Sequence, residues 1–151
     1  MRLYLVQHGE ALSKETAPER PLSEKGKTDV FKIANFLKGK VKIDCIWHSK
    51  KLRAIQTAQI FKEVGIGEDL VEREDINPLD PVEKLPSEII KSNLDLMLVG
   101  HLPFLASLAS LLLSGNKDLN LIKFYPGGVV SLEKEENWYL LWIVIPHLIG
   151  E

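Results

Sequence analysis

Short apolar runs alternate along this chain with stretches whose apolar residues recur at helical spacing, a pattern that predicts a sheet covered by helices. The first run, about Arg2 to Gln7, reads as a strand that leads into a polar loop through Pro18 and Pro21. Ser23 is placed to N-cap a helix to about Lys38, with Val30, Ile33, Ala34 and Leu37 on one face and Gly39 as its stop. A second strand spans about Ile43 to His48. Ser49 lies at the turn, and a helix from about Lys51 to Val64 is expected to bury Ala54, Ile55, Ala58 and Phe61. Gly65 to Asp80 reads as loop with a short strand near Val71, before Pro81 or Val82 opens a helix to about Ser92. Asp95 to Gly100 is a third core strand, and the apolar helix after it runs from Pro103 to about Leu113, where Ser114-Gly115-Asn116 ends it. Gly128 to Glu133 and Trp138 to Ile145 flank the turn Lys134-Glu135-Glu136-Asn137 and predict a hairpin. The expected fold is a single α/β domain over residues 1–151. It is a three-layer sandwich: a mostly parallel central sheet, helices on both faces and a C-terminal β-hairpin.

Composition narrows the partners more than it narrows the fold. The 151 residues are 45% hydrophobic, enough for one core. A net charge of −2 without a long run of either sign argues against nucleic acid or an anionic membrane as partner. The opening Met1-Arg2-Leu3-Tyr4-Leu5-Val6 is too short for a signal sequence and runs straight into Gln7-His8. The other apolar stretches fall below the ~20 residues of a membrane span. The lone Cys45 cannot form an internal disulfide, which fits a reducing cytoplasm, and its place in an apolar strand reads as core packing.

Three of the predicted strands end in the chemistry of phosphate. They are Leu3-Tyr4-Leu5-Val6-Gln7-His8-Gly9-Glu10, the segment from Trp47-His48-Ser49 through Arg53 to Gln56-Thr57, and Met97-Leu98-Val99-Gly100-His101. In a parallel sheet their tips meet at one edge, where two histidines and an arginine would face one small anion. Taken singly, each residue has an ordinary reading. A histidine at a strand end is commonly a satisfied core or surface residue, and Arg53 alone reads as a solvated helix residue. Ser49 could cap the helix that carries Arg53 or contact phosphate directly. Strand alternation favours a structural role for His48, aimed away from the cleft. Gln56 and Thr57 read as core or supporting residues, and His147 as ordinary. Trp138, Tyr139 and Trp142 read as hairpin packing, and Gly127-Gly128 as a tight turn before the hairpin.

In this order, the Gln7-His8-Gly9 triplet, the Ser49 to Thr57 segment and Gly100-His101 resemble the histidine phosphatase superfamily. Arg20-Pro21-Leu22-Ser23-Glu24-Lys25-Gly26 and Val99-Gly100-His101-Leu102-Pro103-Phe104 are similar to its short branch, the SixA-type phosphohistidine phosphatases. The resemblance implies that a neutral His8 attacks phosphorus and becomes a phosphohistidine that water later hydrolyses. It implies that Arg53 grips the phosphoryl oxygens and that His101 donates to them as charge builds, with Gln7, Gly9 and Ser49 in the substrate-binding shell. The scheme needs no cofactor and no metal, and no His or Cys spacing suggests a zinc site. The substrate is expected to be phosphohistidine on a carrier or phosphotransfer protein, or a small phosphomonoester, with inorganic phosphate as product. The gaps between motifs leave no insertion large enough for a lid, and an open site suits a protein-borne phosphohistidine.

Two departures from the family pattern bear on activity. The superfamily triplet is Arg-His-Gly, and here Gln7 stands at the arginine position. Losing a charge-assisted fork there weakens binding by roughly 1.5 to 3 kcal/mol. Three outcomes follow: a slow enzyme, compensation by Lys50 or Lys51, or a phosphate-binding regulatory protein that no longer turns over. Ahead of the Arg-Pro-Leu segment, where the short branch carries an acidic residue, Ala17 and Pro18 stand between Glu15 and Glu19. The candidates for a general acid are therefore Glu10, Glu15 and Glu19, although a phosphohistidine, leaving through nitrogen, depends less on a strong acid.

Overall fold

The computed structural model describes residues 1–150, and its elements follow the predicted alternation. In chain order they are β1 (Arg2–Gln7), α1 (Glu24–Leu37), β2 (Cys45–Ser49), α2 (Leu52–Val64), β3 (Asp69–Arg73), α3 (Leu85–Ser92), β4 (Leu96–Gly100), α4 (Phe104–Ser114), β5 (Val129–Lys134) and β6 (Trp138–Val144), followed by a short 3-10 turn, Pro146–Leu148. One six-stranded sheet has the order β3-β2-β4-β1-β5-β6. Its first four strands are parallel, and β5 and β6 form the antiparallel hairpin.

From Leu3 to Val6 in β1 and from Leu96 to Val99 in β4 every position is apolar, because both faces of these strands are covered. Leu3 and Leu5 of β1 join Leu96 and Leu98 of β4 in a core beneath α3 and α4, with Leu85, Ile89, Leu105 and Leu108. Their neighbours Tyr4, Val6, Met97 and Val99 point the other way, into a core with Val30, Ile33, Ala58 and Phe61 of α1 and α2. Ser23 caps α1 as expected, its hydroxyl accepting from Gly26 N at 2.9 Å. Cys45 is buried in the core, with its thiol pKa raised by burial.

Three local expectations are corrected. The second strand starts at Cys45 rather than Ile43, because Asp44 ties sideways to Asp95 through its N–H and its carboxylate. The third helix starts at Leu85, after a turn in which Leu85 N donates to Val82 O, so neither Pro81 nor Val82 opens it. Ile55 is only half-buried. Thr57 and Ile60 take the inward positions of α2 instead, and Ile55 faces a cavity beside the sheet edge.

Candidate active site

Parallel pairing brings the three strand tips together. Gln7 of β1 lies beside Gly100 of β4, His48 of β2 lies beside Val99, and His8 N donates to Gly100 O at 3.0 Å. The His8 and His101 rings end 5.1 Å apart between centroids, inclined at 55°. Arg53, in the first turn of α2, donates from Nε to His8 Nε2 at 3.3 Å. A guanidinium can only donate, so Nε2 must be the lone-pair nitrogen, and the proton belongs on Nδ1, which donates to Gly9 O at 2.7 Å.

Ser49 is not the cap of α2, which has Lys51 at its N-cap position and no side-chain cap bond. Ser49 is fully buried, and its hydroxyl accepts from Lys51 N at 3.3 Å and meets His101 Nε2 at 2.5 Å. His101 Nδ1 is buried without a partner, as is Gln7 Oε1. His48 is buried against its own strand end, its Nδ1 on Ser49 O at 2.9 Å.

Burial keeps both imidazoles neutral. Desolvation lowers the His8 pKa to about 4, and the nearby charges of Arg53 and Arg20 add to the shift, against the bond to Gly9 O, which raises it. His101 is lowered to about 3, again chiefly by desolvation, with further contributions from His8, Arg53, Lys51 and Arg20. The Arg53 pKa is also lowered, by burial and by Arg20, yet an arginine starts so high that it remains charged. The cluster therefore holds two uncharged nitrogen bases inside a shell of cations, an arrangement suited to a nucleophile and a tetrahedral anion.

The residues behind the site explain its glycines. A Cβ on Gly9 would lie 2.8 Å from Val30 Cγ2 and 3.1 Å from Gly26 O, so the loop after β1 can press against α1 only as glycine. Gly26 is the reciprocal case, since its Cβ would fall 2.1 Å from Glu10 O. Thr57 Oγ1 accepts from Gly9 N at 3.0 Å and donates to Arg53 O at 2.8 Å, linking the loop to α2. Gln56 Oε1 accepts from Leu22 N at 2.7 Å.

The three carboxylate candidates separate in space. Glu10 is held by Ser23 Oγ at 2.6 Å and lines a cavity with Asp29, Tyr125 and His147. Glu15 is exposed and lines neither that cavity nor the one beside Arg53. Glu19 lines the cavity of about 770 Å³ that also contains Arg53 and Arg20. Among the described residues, no cluster of three or more His, Cys, Asp or Glu side chains is placed to hold a metal ion.

Arg20 has no assigned role in the sequence reading, although it heads the Arg-Pro-Leu segment. Its backbone turns through φ 53°, and its Nε donates to Leu12 O at 3.0 Å. This holds the guanidinium close enough to act on His8, Arg53 and His101. Only its position in that segment signalled it, since the path of the loop decides where its charge falls.

The geometry agrees with the comparisons. The model of the histidine phosphatase superfamily (branch 1) matches residues 3–93, and the chain belongs to this family, whose members are phosphatases. That match takes in His8 and Arg53 and stops short of His101. The structure of the protein histidine phosphatase SixA complexed with tungstate is 24% identical, with a TM-score of 0.85, and the likeness covers 98% of this chain and 99% of that one. A protein from Agrobacterium tumefaciens named for phosphohistidine phosphatase SixA is 26% identical, with a TM-score of 0.79 over 96% of this chain and 97% of the other. An Escherichia coli K-12 protein named for α-ribazole-5'-P phosphatase is 17% identical, with a TM-score of 0.81 over 100% of both chains. A search of the curated proteins finds no match. The expected α/β sandwich is thus the histidine phosphatase fold, and no helix is long and apolar enough to cross a membrane among the described residues.

Proposed function

We propose that this protein removes the phosphoryl group from phosphohistidine on a partner protein by way of a phosphohistidine formed at His8. The observation that carries the reading is the state of His8: Nδ1 is tied to Gly9 O, and Nε2 is unprotonated and faces the Arg53 guanidinium. In-line attack by Nε2 forms the N–P bond as the substrate's bond to its leaving nitrogen breaks. The leaving imidazole takes its proton from water or a nearby acid. Water then attacks the phosphohistidine, and inorganic phosphate departs as His8 is regenerated. Arg53 holds the phosphoryl oxygens throughout. Ser49 positions His101, whose unpartnered Nδ1 gains a partner when an oxyanion oxygen reaches it. A cytoplasmic location belongs to the same reading, supported by the lone buried thiol of Cys45. Rapid quench with labelled phosphohistidine protein is expected to trap an acid-labile, base-stable phosphate on His8. Wild-type turnover by His8→Ala would remove this mechanism.

A second reading rests on Gln7. With an unpartnered amide oxygen where the family pattern has an arginine, the site suits a protein that binds phosphate and turns over slowly. A small phosphomonoester is the other candidate substrate, in keeping with the α-ribazole-5'-P phosphatase likeness. Turnover of a generic phosphomonoester beside a panel of phosphohistidine proteins separates the three.

A further inference from the structure

The cavity beside Arg53 carries more positive charge than one phosphoryl group needs. Lys14, Arg20, Lys50, Lys51 and Arg53 line it against only Glu19 and Asp80, in a chain whose net charge is −2. None of those five cations makes a salt bridge to a carboxylate among the described residues. Other lysines of the chain, such as Lys32 and Lys91, are unpaired too, so what sets these five apart is their convergence on one cavity. Asp80 is also committed elsewhere, accepting from the backbone N and the Nδ2 of Asn77 at 2.8 and 2.9 Å. Like charges gathered without counter-charges repel one another, and their grouping is best explained by an anionic ligand that neutralises them. A phosphoryl dianion on His8 would meet Arg53, which donates to Nε2, and would feel the charge of Arg20, which acts on the same ring. Lys14, Lys50 and Lys51 remain.

The rim adds an apolar contact. Leu79 is 87% exposed and, with Pro78, separates this cavity from a second one reaching Pro103 and Phe104. A small anion would cover the cations and leave Leu79 in water, while a protein surface covers both.

We propose that this cavity receives an acidic segment of the phosphorylated protein, its carboxylates flanking the phosphohistidine and pairing with Lys14, Lys50 and Lys51. The inference rests on the reading of the protein as a phosphohistidine phosphatase and specifies its substrate.

The test uses two peptides with a stable phosphohistidine analogue, one flanked by aspartates and one by asparagines, titrated into the His8→Ala protein by calorimetry. The aspartate peptide is expected to bind about ten-fold more tightly at low salt, an advantage that shrinks as salt screens the charges. Lys14→Glu/Lys50→Glu is expected to abolish the preference, with circular dichroism confirming the fold. Equal binding of the two peptides, or a preference that survives the double charge reversal, overturns the inference. So does tight binding of pyrophosphate relative to phosphate without any peptide preference, which would assign the cavity to a small molecule. Turnover of the matching phosphohistidine peptides by the wild type separates the two levels. A binding preference without turnover of either peptide removes the phosphatase reading and leaves the acidic site. Equal turnover and equal binding do the reverse.

Discussion

Arg53 donates from Nε to Nε2 of His8 across 3.3 Å, so the cation that would grip a phosphoryl group rests on the nitrogen that would attack it. The contact keeps a positive charge against the imidazole and helps hold it unprotonated. An incoming phosphoryl group has to come between the two, exchanging a bond from the guanidinium to a neutral ring nitrogen for bonds to anionic oxygens. The exchange favours binding, because both partners are then charged and the planar fork can donate twice.

Arg53→Ala is accordingly expected to weaken competitive binding of phosphate, vanadate or sulfate by about 1.5 to 3 kcal/mol. Arg53→Lys should recover the charge without the planar fork and restore only part of the loss. Calorimetric titration of each variant checks this. An unchanged affinity in Arg53→Ala would mean that the anion sits elsewhere.

The neutral histidines also predict an acid-sensitive fold. His8 and His101 start from an ordinary value of 6.5 and are lowered to about 4 and about 3. As pH falls below 6.5 the unfolded chain takes up protons first, so stability is full above that point, declines through the window down to 4 and 3, and levels off below. Sulfate remains dianionic across this range and should flatten the slope by raising the folded pKa values. Thermal unfolding from pH 7 to pH 3 with and without sulfate reads this directly. A His8→Ala/His101→Ala protein with the same slope as the wild type would locate the titration in other groups.

Of the three acidic candidates only Glu19 shares the cavity with Arg53, which yields a prediction about leaving groups. A phosphomonoester leaves as an alkoxide and needs a proton from an acid, while phosphohistidine leaves through an imidazole nitrogen that is readily protonated. Glu19→Gln should therefore lower kcat/KM on an alkyl phosphate by about ten- to a hundred-fold more than on a phosphohistidine peptide. Equal effects on both substrates would exclude Glu19 as the acid.

Much of this site was legible because it lies at the ends of parallel strands. The apolar runs before Gln7 and Gly100 form central strands, and parallel pairing carries both ends to the same edge, so His8 and His101 meet as the sequence predicts. Ser23 was legible as a cap because capping is local. Ser49 was not, because its hydroxyl is decided by a residue 52 positions away across the β2–β4 register. Ile55 was misread because helical periodicity says which face is apolar and not that the first turn of α2 opens onto a cavity. Arg20 escaped for a similar reason: its charge reaches the histidines through a loop whose path periodicity cannot supply.

Gln7, at the position where the resemblance implies an arginine, offers the sharpest test of the site. Its backbone oxygen is anchored by Gly127 N at 2.9 Å, while its side-chain Oε1 is buried with no partner. An unmet buried acceptor costs about 1 to 3 kcal/mol, so Gln7→Met should raise the stability of the ligand-free protein or leave it unchanged. Gln7→Arg replaces the acceptor with donors and a second fork whose contacts strengthen as the phosphoryl group loosens. It should raise kcat/KM by roughly ten-fold or more. The same charge lies close to Arg53 and Arg20, so the variant should unfold at a lower temperature without phosphate and recover when phosphate is bound. Higher activity together with lower ligand-free stability identifies an enzyme retuned at this position. Unchanged activity, unchanged phosphate affinity and unchanged stability together would show that residue 7 does not reach the substrate, and the role of an arginine there would have to pass to Arg20.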